Sequence, residues 1–342
     1  MIFTQPTLAI DIGASSVKIA KMERHKIAFL DYEVLPSECV VDGILQNQDE
    51  LFVVLENLLQ RNGLTKSKRL FMRVGLSLGG AAVLMKKIDM AVAEEEIDAN
   101  VYYEAEQQLQ LPLEEMYVSY HRLERSDSDF AYPIIVAGAR REVVDAYVEL
   151  IHSLGLKVGV IDCDSFCISN MFEVNYGVTA GASLLINIGA SSAQVSFLEH
   201  GVWLNSSEIP MGGHFYSRTI AGRLGIEIDA AESLKISTAS GSGGTTEALS
   251  IIQEVNQQLL EELQRTIDFF GIQHLQTIYL SGGTSRILGL ANTMSSGLGV
   301  PTNMVNPFLN IELPRKYEKS LQEGHIYSTA VGLALRNFER KF

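Results

Sequence analysis

Two copies of one pentapeptide carry the most suggestive chemistry in this sequence. Ile-Gly-Ala-Ser-Ser occurs at Ile12–Ser16 and again at Ile188–Ser192. Glycine admits positive φ, and small neighbours let successive backbone N–H groups converge on one point, an arrangement that suits an anion. Asp11 precedes the first turn, and Lys18 lies seven residues beyond it. A carboxylate at a strand end can hold a hydrated Mg²⁺, and an ammonium past the turn reaches a phosphate as a point charge. The second turn is introduced by Asn187. Two such turns, one in each half of the chain, suggest the jaws of a clamp on a polyphosphate.

Other polar sets are less specific. Glu232 and Lys235 lie three apart on one helix face. They are either an exposed ion pair of little energetic worth or polar handles for a ribose. Gly282-Gly283 follows an apolar strand and precedes Ile287, Leu288 and Leu290. It is either a sharp turn or a place where backbone approaches a flat ligand closely. Cys163 and Cys167 are four apart without a second ligand pair, so they read as buried apolar thiols. The sequence holds no G-x-x-x-x-G-K-[ST] loop and no H-E-x-x-H helix, which excludes P-loop ATPases and that class of zinc protease.

Regular elements must hold these residues in place. Leu8-Ala9-Ile10 and Leu184-Leu185-Ile186 read as buried strands entering the turns. Val17 and Ile19, and Val195 and Phe197, alternate as strands leaving them. Residues 7–35 form a hairpin-rich sheet, Asp49–Arg61 a helix striped by Leu51, Val54, Leu55, Leu58 and Leu59, and Arg69–Ser77 a strand. Residues 80–156 read as a compact β-α-β-β-α insert with Ser126-Asp127-Ser128-Asp129 as its hairpin loop. Val158–Ile161 is a strand and Ser165–Glu173 a connecting helix. In the second half Met211-Gly212-Gly213 opens a helix through Leu224, and Ala230–Ile236 is a short helix. Ser237–Thr246 is expected to be a mobile Gly/Ser/Thr-rich loop. Leu249–Phe270 carries a long amphipathic stripe, and Tyr327–Asn337 closes the chain as a helix.

Composition fits a globular protein with room for two domains. The 342 residues are 46% hydrophobic and 20% charged, with a net charge of −14. That acidic balance argues against nucleic acid as a partner. No apolar run approaches the roughly 20 residues of a membrane-spanning helix, no signal peptide is visible, and three cysteines make no disulfide framework. A reducing, cytoplasmic compartment is expected.

Taken in order, Asp11–Lys18, Ile161–Phe172, Asn187–Gln194 and Leu280–Arg286 resemble four elements of the actin-like ATPase superfamily: its first phosphate loop, connecting helix, second phosphate loop and adenosine loop. The place of the insert resembles the FtsA type. Glu104–Gln107 with Leu111–Glu115, Val136–Ala139 before Arg141–Asp145, and Ala330–Arg336 resemble the PilM family of bacterial type IV pilus assembly proteins. The resemblance implies an α/β, actin-like ATPase fold of two ribonuclease H-like halves, with an FtsA-type small subdomain inserted in the first. Expected boundaries are 1–79 plus 157–179 for the first half, with helix 327–342 packing on it. The insert spans 80–156 and the second half 180–326, whose smaller helical subdomain is 212–272.

It further implies ATP or ADP with Mg²⁺ between the halves. Asp11 and Asn187 would hold the metal through water. Gly13, Ala14, Ser15, Ser16 and Lys18 would face the phosphates from one side, and Gly189, Ala190, Ser191 and Ser192 from the other. Glu232 and Lys235 would contact ribose, and Gly282, Gly283 and Arg286 adenine, with Gly213 and Thr284 completing the set. The implied partner is the N-terminal cytoplasmic tail of a PilN-type inner-membrane protein, beside the small subdomain, with Met85, Lys86 and Lys87 in the groove. Other pilus-machine components and self-assembly are expected too. No nucleic acid and no direct membrane insertion are expected, so the protein would be cytoplasmic and peripheral to the inner membrane through its partner.

Where the superfamily has aspartate at the second loop, this chain has Asn187. An amide accepts no proton and orders metal-bound water less well than a carboxylate. Nucleotide binding with slow or absent hydrolysis is therefore expected. Two alternatives remain. An FtsA-like division scaffold would need a membrane-anchoring helix, for which the tail Arg336–Phe342 is short. A small-molecule kinase would need a carboxylate base in the cleft, for which Asp162 and Asp164 are candidates unless they cap the connecting helix.

Overall fold

The computed structural model describes residues 8–23, 25–70, 72–123, 130–240 and 242–336. Residues 1–7, the 126–129 hairpin loop and residues 337–342 of the expected closing helix lie outside the described residues. The chain opens with three strands, β1 (Leu8–Ile12), β2 (Ser16–Glu23) and β3 (Lys26–Val34). A small hairpin, β4 (Val40–Val41) and β5 (Ile44–Leu45), leads to α1 (Gln48–Arg61), whose N-terminus is capped by the Asn47 side chain on the Glu50 N–H. One turn of helix, α2 (Lys66–Arg69), precedes β6 (Arg73–Leu78). The predicted strand thus begins four residues late. Arg69 is wholly buried, donating to Leu64 O and Leu154 O and pairing with Glu56, a long-range role that strand propensity does not encode.

The insert follows as β7 (Val83–Met90), α3 (Ile97–Leu109), β8 (Met116–Arg122), β9 (Tyr132–Arg140) and α4 (Arg141–Ser153). Its strands make a separate three-stranded sheet in the order β7-β9-β8. Ile88, Met90, Val101, Leu109, Ile134 and Val136 pack into its own core. The chain returns through β10 (Lys157–Cys163) and α5 (Asp164–Tyr176).

The second half runs β11 (Ala182–Ile188), β12 (Ala193–Glu199), β13 (Val202–Ile209), α6 (Gly213–Leu224), α7 (Ile228–Ser240) and α8 (Thr246–Phe269). It continues with β14 (Leu275–Ser281), α9 (Leu290–Leu298), β15 (Thr302–Met304) and α10 (Ser328–Leu335). Two expectations are corrected here. Residues 237–240 continue α7, and only the short stretch before Thr246 is loop, because Thr238 Oγ1 bonds back to Leu234 O and the turn is absorbed into the helix. β13 adds a third antiparallel strand that alternation alone did not mark.

The two main sheets share one topology. The first has the order β3-β2-β1-β6-β10 and the second β13-β12-β11-β14-β15, with β1 and β11 in equivalent central positions. Each central strand pairs antiparallel with the next strand in sequence and parallel with a later one. The repeated pentapeptide is therefore the local sign of a duplicated half. The face of α8 that meets the second sheet buries Ile252, Val255, Leu259 and Leu263, each worth roughly 1.5–3 kcal/mol of transfer free energy. Across the middle, α10 lies against α5 so closely that a Cβ on Gly332 would fall 1.7 Å from Cys167 O. Cys163 and Cys167 are buried free thiols, and no group of three His, Cys, Asp or Glu among the described residues is arranged to hold a metal.

Candidate functional site

The parallel strands aim their C-terminal ends at a common region, and both pentapeptides sit there. In each, the glycine N–H donates to the carbonyl of the residue three on: Gly13 to Ser16 at 3.0 Å, and Gly189 to Ser192 at 2.9 Å. The strands on either side fix an identical register. Asp11 lies opposite Lys18, and Asn187 lies opposite Gln194. The first turn thus carries an acid and a base, with Lys18 Nζ 3.6 Å from Asp11 Oδ2. The second carries two amides. Both charges of the first jaw are absent from the second, and only the Asn187 half of that difference stood out in the sequence.

The second turn is held from behind by two distant segments. Its carbonyls accept from the N-terminus of α6: Gly213 N to Gly189 O at 3.0 Å, His214 N to Ala190 O at 2.8 Å and Gly212 N to Ser191 O at 3.1 Å. Thr284 Oγ1 donates to Gly189 O at 2.7 Å. The Gly-Gly turn therefore docks directly on the second phosphate-loop candidate. Gly282 has φ +83°, and a Cβ there would meet Ile188 O at 2.4 Å and Asn187 Oδ1 at 2.7 Å. Gly283 meets nothing within 4 Å, so its backbone faces open space. His325 O accepts from Gly282 N and from Ser281 Oγ, tying the turn to the segment before α10.

Lys235 is buried rather than exposed. Its ammonium donates to Gly213 O at 3.1 Å, Ser217 Oγ at 3.0 Å and Glu232 Oε2 at 2.6 Å. All three protons are used within the protein, so Lys235 locks α7 onto the start of α6. Glu232 is half-exposed and also accepts from Ser217. Burial raises its carboxyl's pKa, but the hydrogen bonds from Lys235 and Ser217 outweigh that and hold it below the usual range. Arg286 pairs with Glu323 at 2.9 Å and is half-exposed. Beside it a cavity of about 510 Å³ is lined by Leu288, Asn292, Met304 and His325, among others. It adjoins the Gly-Gly turn but touches neither pentapeptide.

The two candidate bases part company. Asp162 turns toward the closing helix, 2.7 Å from Arg336 Nε. Asp164, the first residue of α5, is half-buried with its Oδ1 enclosed, and its carboxyl is pushed up to about 7 by burial and then by the charge of Asp11. Lys18 draws it down, whereas Glu208 on β13 raises it further. Glu208 accepts from Ser192 Oγ. The region between the halves thus holds Asp11, Asp164 and Glu208 together with the ammonium of Lys18. Such a site suits a divalent cation shared with a phosphate group, held through waters rather than by direct ligation. Of the groove trio, Met85 and Lys87 share one face of β7 and Lys86 the other, as alternation along a strand requires. Met85 Sδ lies 3.2 Å from Ser165 Oγ, so that face looks onto α5.

A family model described as type IV pilus assembly protein PilM matches residues 9–338. Among solved structures, a PilM–PilN type IV pilus biogenesis complex is similar over 99% of this chain and 100% of its own, at 26% identity and a TM-score of 0.86. The ethanolamine utilization protein EutJ from Carboxydothermus hydrogenoformans is similar at 14% identity and a TM-score of 0.58, covering 96% of this chain and 89% of EutJ. MreB5 of Spiroplasma citri bound to AMPPNP is similar at 12% identity and a TM-score of 0.54, over 96% and 95% of the two chains. These last two likenesses speak to fold alone, and the fold is that of the actin-like ATPases. No helix among the described residues is long and apolar enough to cross a membrane.

Proposed function

The chain belongs to the PilM family of type IV pilus assembly proteins, and from that premise we propose that it is a nucleotide-holding scaffold of the pilus machine. ATP or ADP with Mg²⁺ would sit between the halves, and a PilN-type cytoplasmic tail would bind beside the small subdomain. The observation that carries the nucleotide reading is the pair of equivalent turns, closed by equivalent hydrogen bonds at equivalent strand ends. Gly13–Ser16 and Gly189–Ser192 would supply N–H and hydroxyl donors to the phosphates, and Lys18 the charge. Asp11 would hold Mg²⁺ through water, with Asn187 facing it as a neutral ligand to that water. Bound Mg²⁺ neutralises phosphate charge, which three local carboxylates make necessary. Glu232 would accept from ribose hydroxyls, while Lys235, Thr284 and Gly213 hold the turns together. Gly282, Gly283 and Arg286 would border the base.

Hydrolysis is proposed to be slow. The second jaw carries Asn187 and Gln194, neither of which accepts a proton or adds charge to order an attacking water. Asp164 would be the carboxylate to orient such a water. The PilN-type partner is inferred from the complex in which the 26%-identical structure occurs. Steady-state turnover by purified protein tests the first point: a rate well below about 1 s⁻¹ is expected, and an enzyme-like rate contradicts the reading. Co-elution with a synthetic PilN-type tail, with and without Mg-ATP, tests the second. Failure to co-elute under both conditions contradicts it.

A further inference from the structure

The duplicated sheets differ in one telling row of side chains. Paired residues of neighbouring strands point to the same face of a sheet. Across the first sheet such a row reads Ser77, Asp11, Lys18 and Tyr32, on β6, β1, β2 and β3. The equivalent row of the second sheet reads Ser281, Asn187, Gln194 and Glu208, on β14, β11, β12 and β13. The serines match, and the acid and base beside them become two amides. The carboxylate missing at Asn187 returns at the end of the row as Glu208, where the first sheet has the phenol of Tyr32.

Glu208 is exposed and takes part in none of the ion pairs among the described residues. What it does hold is the hydroxyl proton of Ser192, the last residue of the second pentapeptide. A serine has one proton to donate. While Glu208 takes it, Ser192 Oγ offers an incoming phosphate only lone pairs. The same carboxylate raises Asp164 at the start of α5, so its charge is felt in the space between the halves. The strand order also supplies a direction. Gly282-Gly283, the proposed border of the base, follows β14, and β12 and β13 lie on the far side of β11. A nucleotide with its base at the end of β14 and its phosphates on the turn after β11 points its last phosphate toward β12 and β13, where Glu208 stands. We propose that Glu208 is a specificity-determining residue that counts phosphates: it weighs against the terminal phosphate of a nucleoside triphosphate, by its charge and by withholding the Ser192 proton. This role presupposes the nucleotide site proposed above. Glu208 carries the one formal charge of its row, so it is the residue through which the second half distinguishes a triphosphate from a diphosphate.

The test is isothermal titration of the full chain with Mg-ATP and with Mg-ADP, for wild type, E208Q and E208D. The readout is the ratio of the two Kd values within one preparation, which neither a partly unfolded sample nor a uniform loss of affinity moves. E208Q removes the charge and leaves an amide able to donate to phosphate, so its ratio should move toward ATP by about tenfold. That shift should be present at about 50 mM salt and shrink at about 500 mM, where an exposed charge is screened. E208D keeps the charge and should keep the wild-type preference. Urea unfolding followed by Trp203 checks that these exposed substitutions leave the fold intact. A ratio that E208Q leaves unchanged or moves toward ADP overturns the proposal while the nucleotide site stands, and so does an equal shift in E208D. Absence of binding of either nucleotide to wild type removes the site itself, and this role with it.

Discussion

Replacing Gly282 by alanine would place a methyl group 2.4 Å from Ile188 O and 2.7 Å from Asn187 Oδ1, at a φ of +83°. Left-handed backbone costs an L-residue about 1–2 kcal/mol. Forcing a carbon into packed surroundings adds about 1–3 kcal/mol. G282A should therefore lose about 2–5 kcal/mol of stability, because the obstruction is backbone and cannot rotate away. Gly283, one residue on, meets nothing within 4 Å, so G283A should stay within about 0.5 kcal/mol of wild type. Both face the proposed nucleotide, and there the two should agree: each should weaken nucleotide binding, G283A by occupying ligand space and G282A by displacing the turn. Trp203, the one tryptophan of the chain, is buried against Phe166 and reports unfolding in urea. A fluorescent nucleotide reports binding. A wild-type urea midpoint for G282A would refute the docking of this turn on the second pentapeptide. Undiminished affinity in G283A would refute its place against the ligand.

Other consequences concern pH and the links between segments. Asp164 titrates near 7 in the folded protein and near 3.8 when unfolded. Its protonated form therefore favours the fold, and that stability is lost as pH rises to 7. Nucleotide-free D164N should gain about 2–3 kcal/mol on wild type between pH 5 and pH 8, measured by urea unfolding at both, and a constant difference would contradict this. His325 has the opposite sign. Burial, then the charge of Arg286, pushes it down to about 4 from 6.5, so stability is full above pH 6.5 and falls as pH drops through 4. H325Q should flatten that acid limb by about 3 kcal/mol, and an unchanged limb assigns the loss to other groups. Thr284→Val removes the donor to Gly189 O. It should cost about 1–2 kcal/mol of stability and weaken nucleotide binding, and a variant indistinguishable in both assays would dismiss the link.

Much of this architecture was legible because it is local. Strand–turn–strand patterns at Leu8–Ile19 and Leu184–Phe197, the stripe of α8 and the β-α-β-β-α order of the insert all follow from periodicity and turn chemistry. What escaped was set by partners far away in sequence. Arg69 sits in a helical turn because Glu56 and Leu154 O receive its guanidinium. Lys235 turned inward because Gly213 and Ser217 offer acceptors from another helix. Asp162 and Asp164 looked equivalent, yet the strand-to-helix junction sends one to Arg336 and the other toward Asp11. Gln194 could have been found: it stands seven residues after Asn187 as Lys18 does after Asp11, and comparing the repeats in full would have exposed it.

The central claim is that the two pentapeptides close on one nucleotide with a divalent cation. Isothermal titration of the full chain with ATP, with and without Mg²⁺, for wild type and D11A, tests it most directly. The account predicts one site per chain with a Kd of about 100 μM or tighter in Mg²⁺ (about −5.5 kcal/mol or better), weakened at least tenfold without Mg²⁺ or in D11A. Absence of binding at millimolar ATP, or binding indifferent to both Mg²⁺ and Asp11, would contradict it.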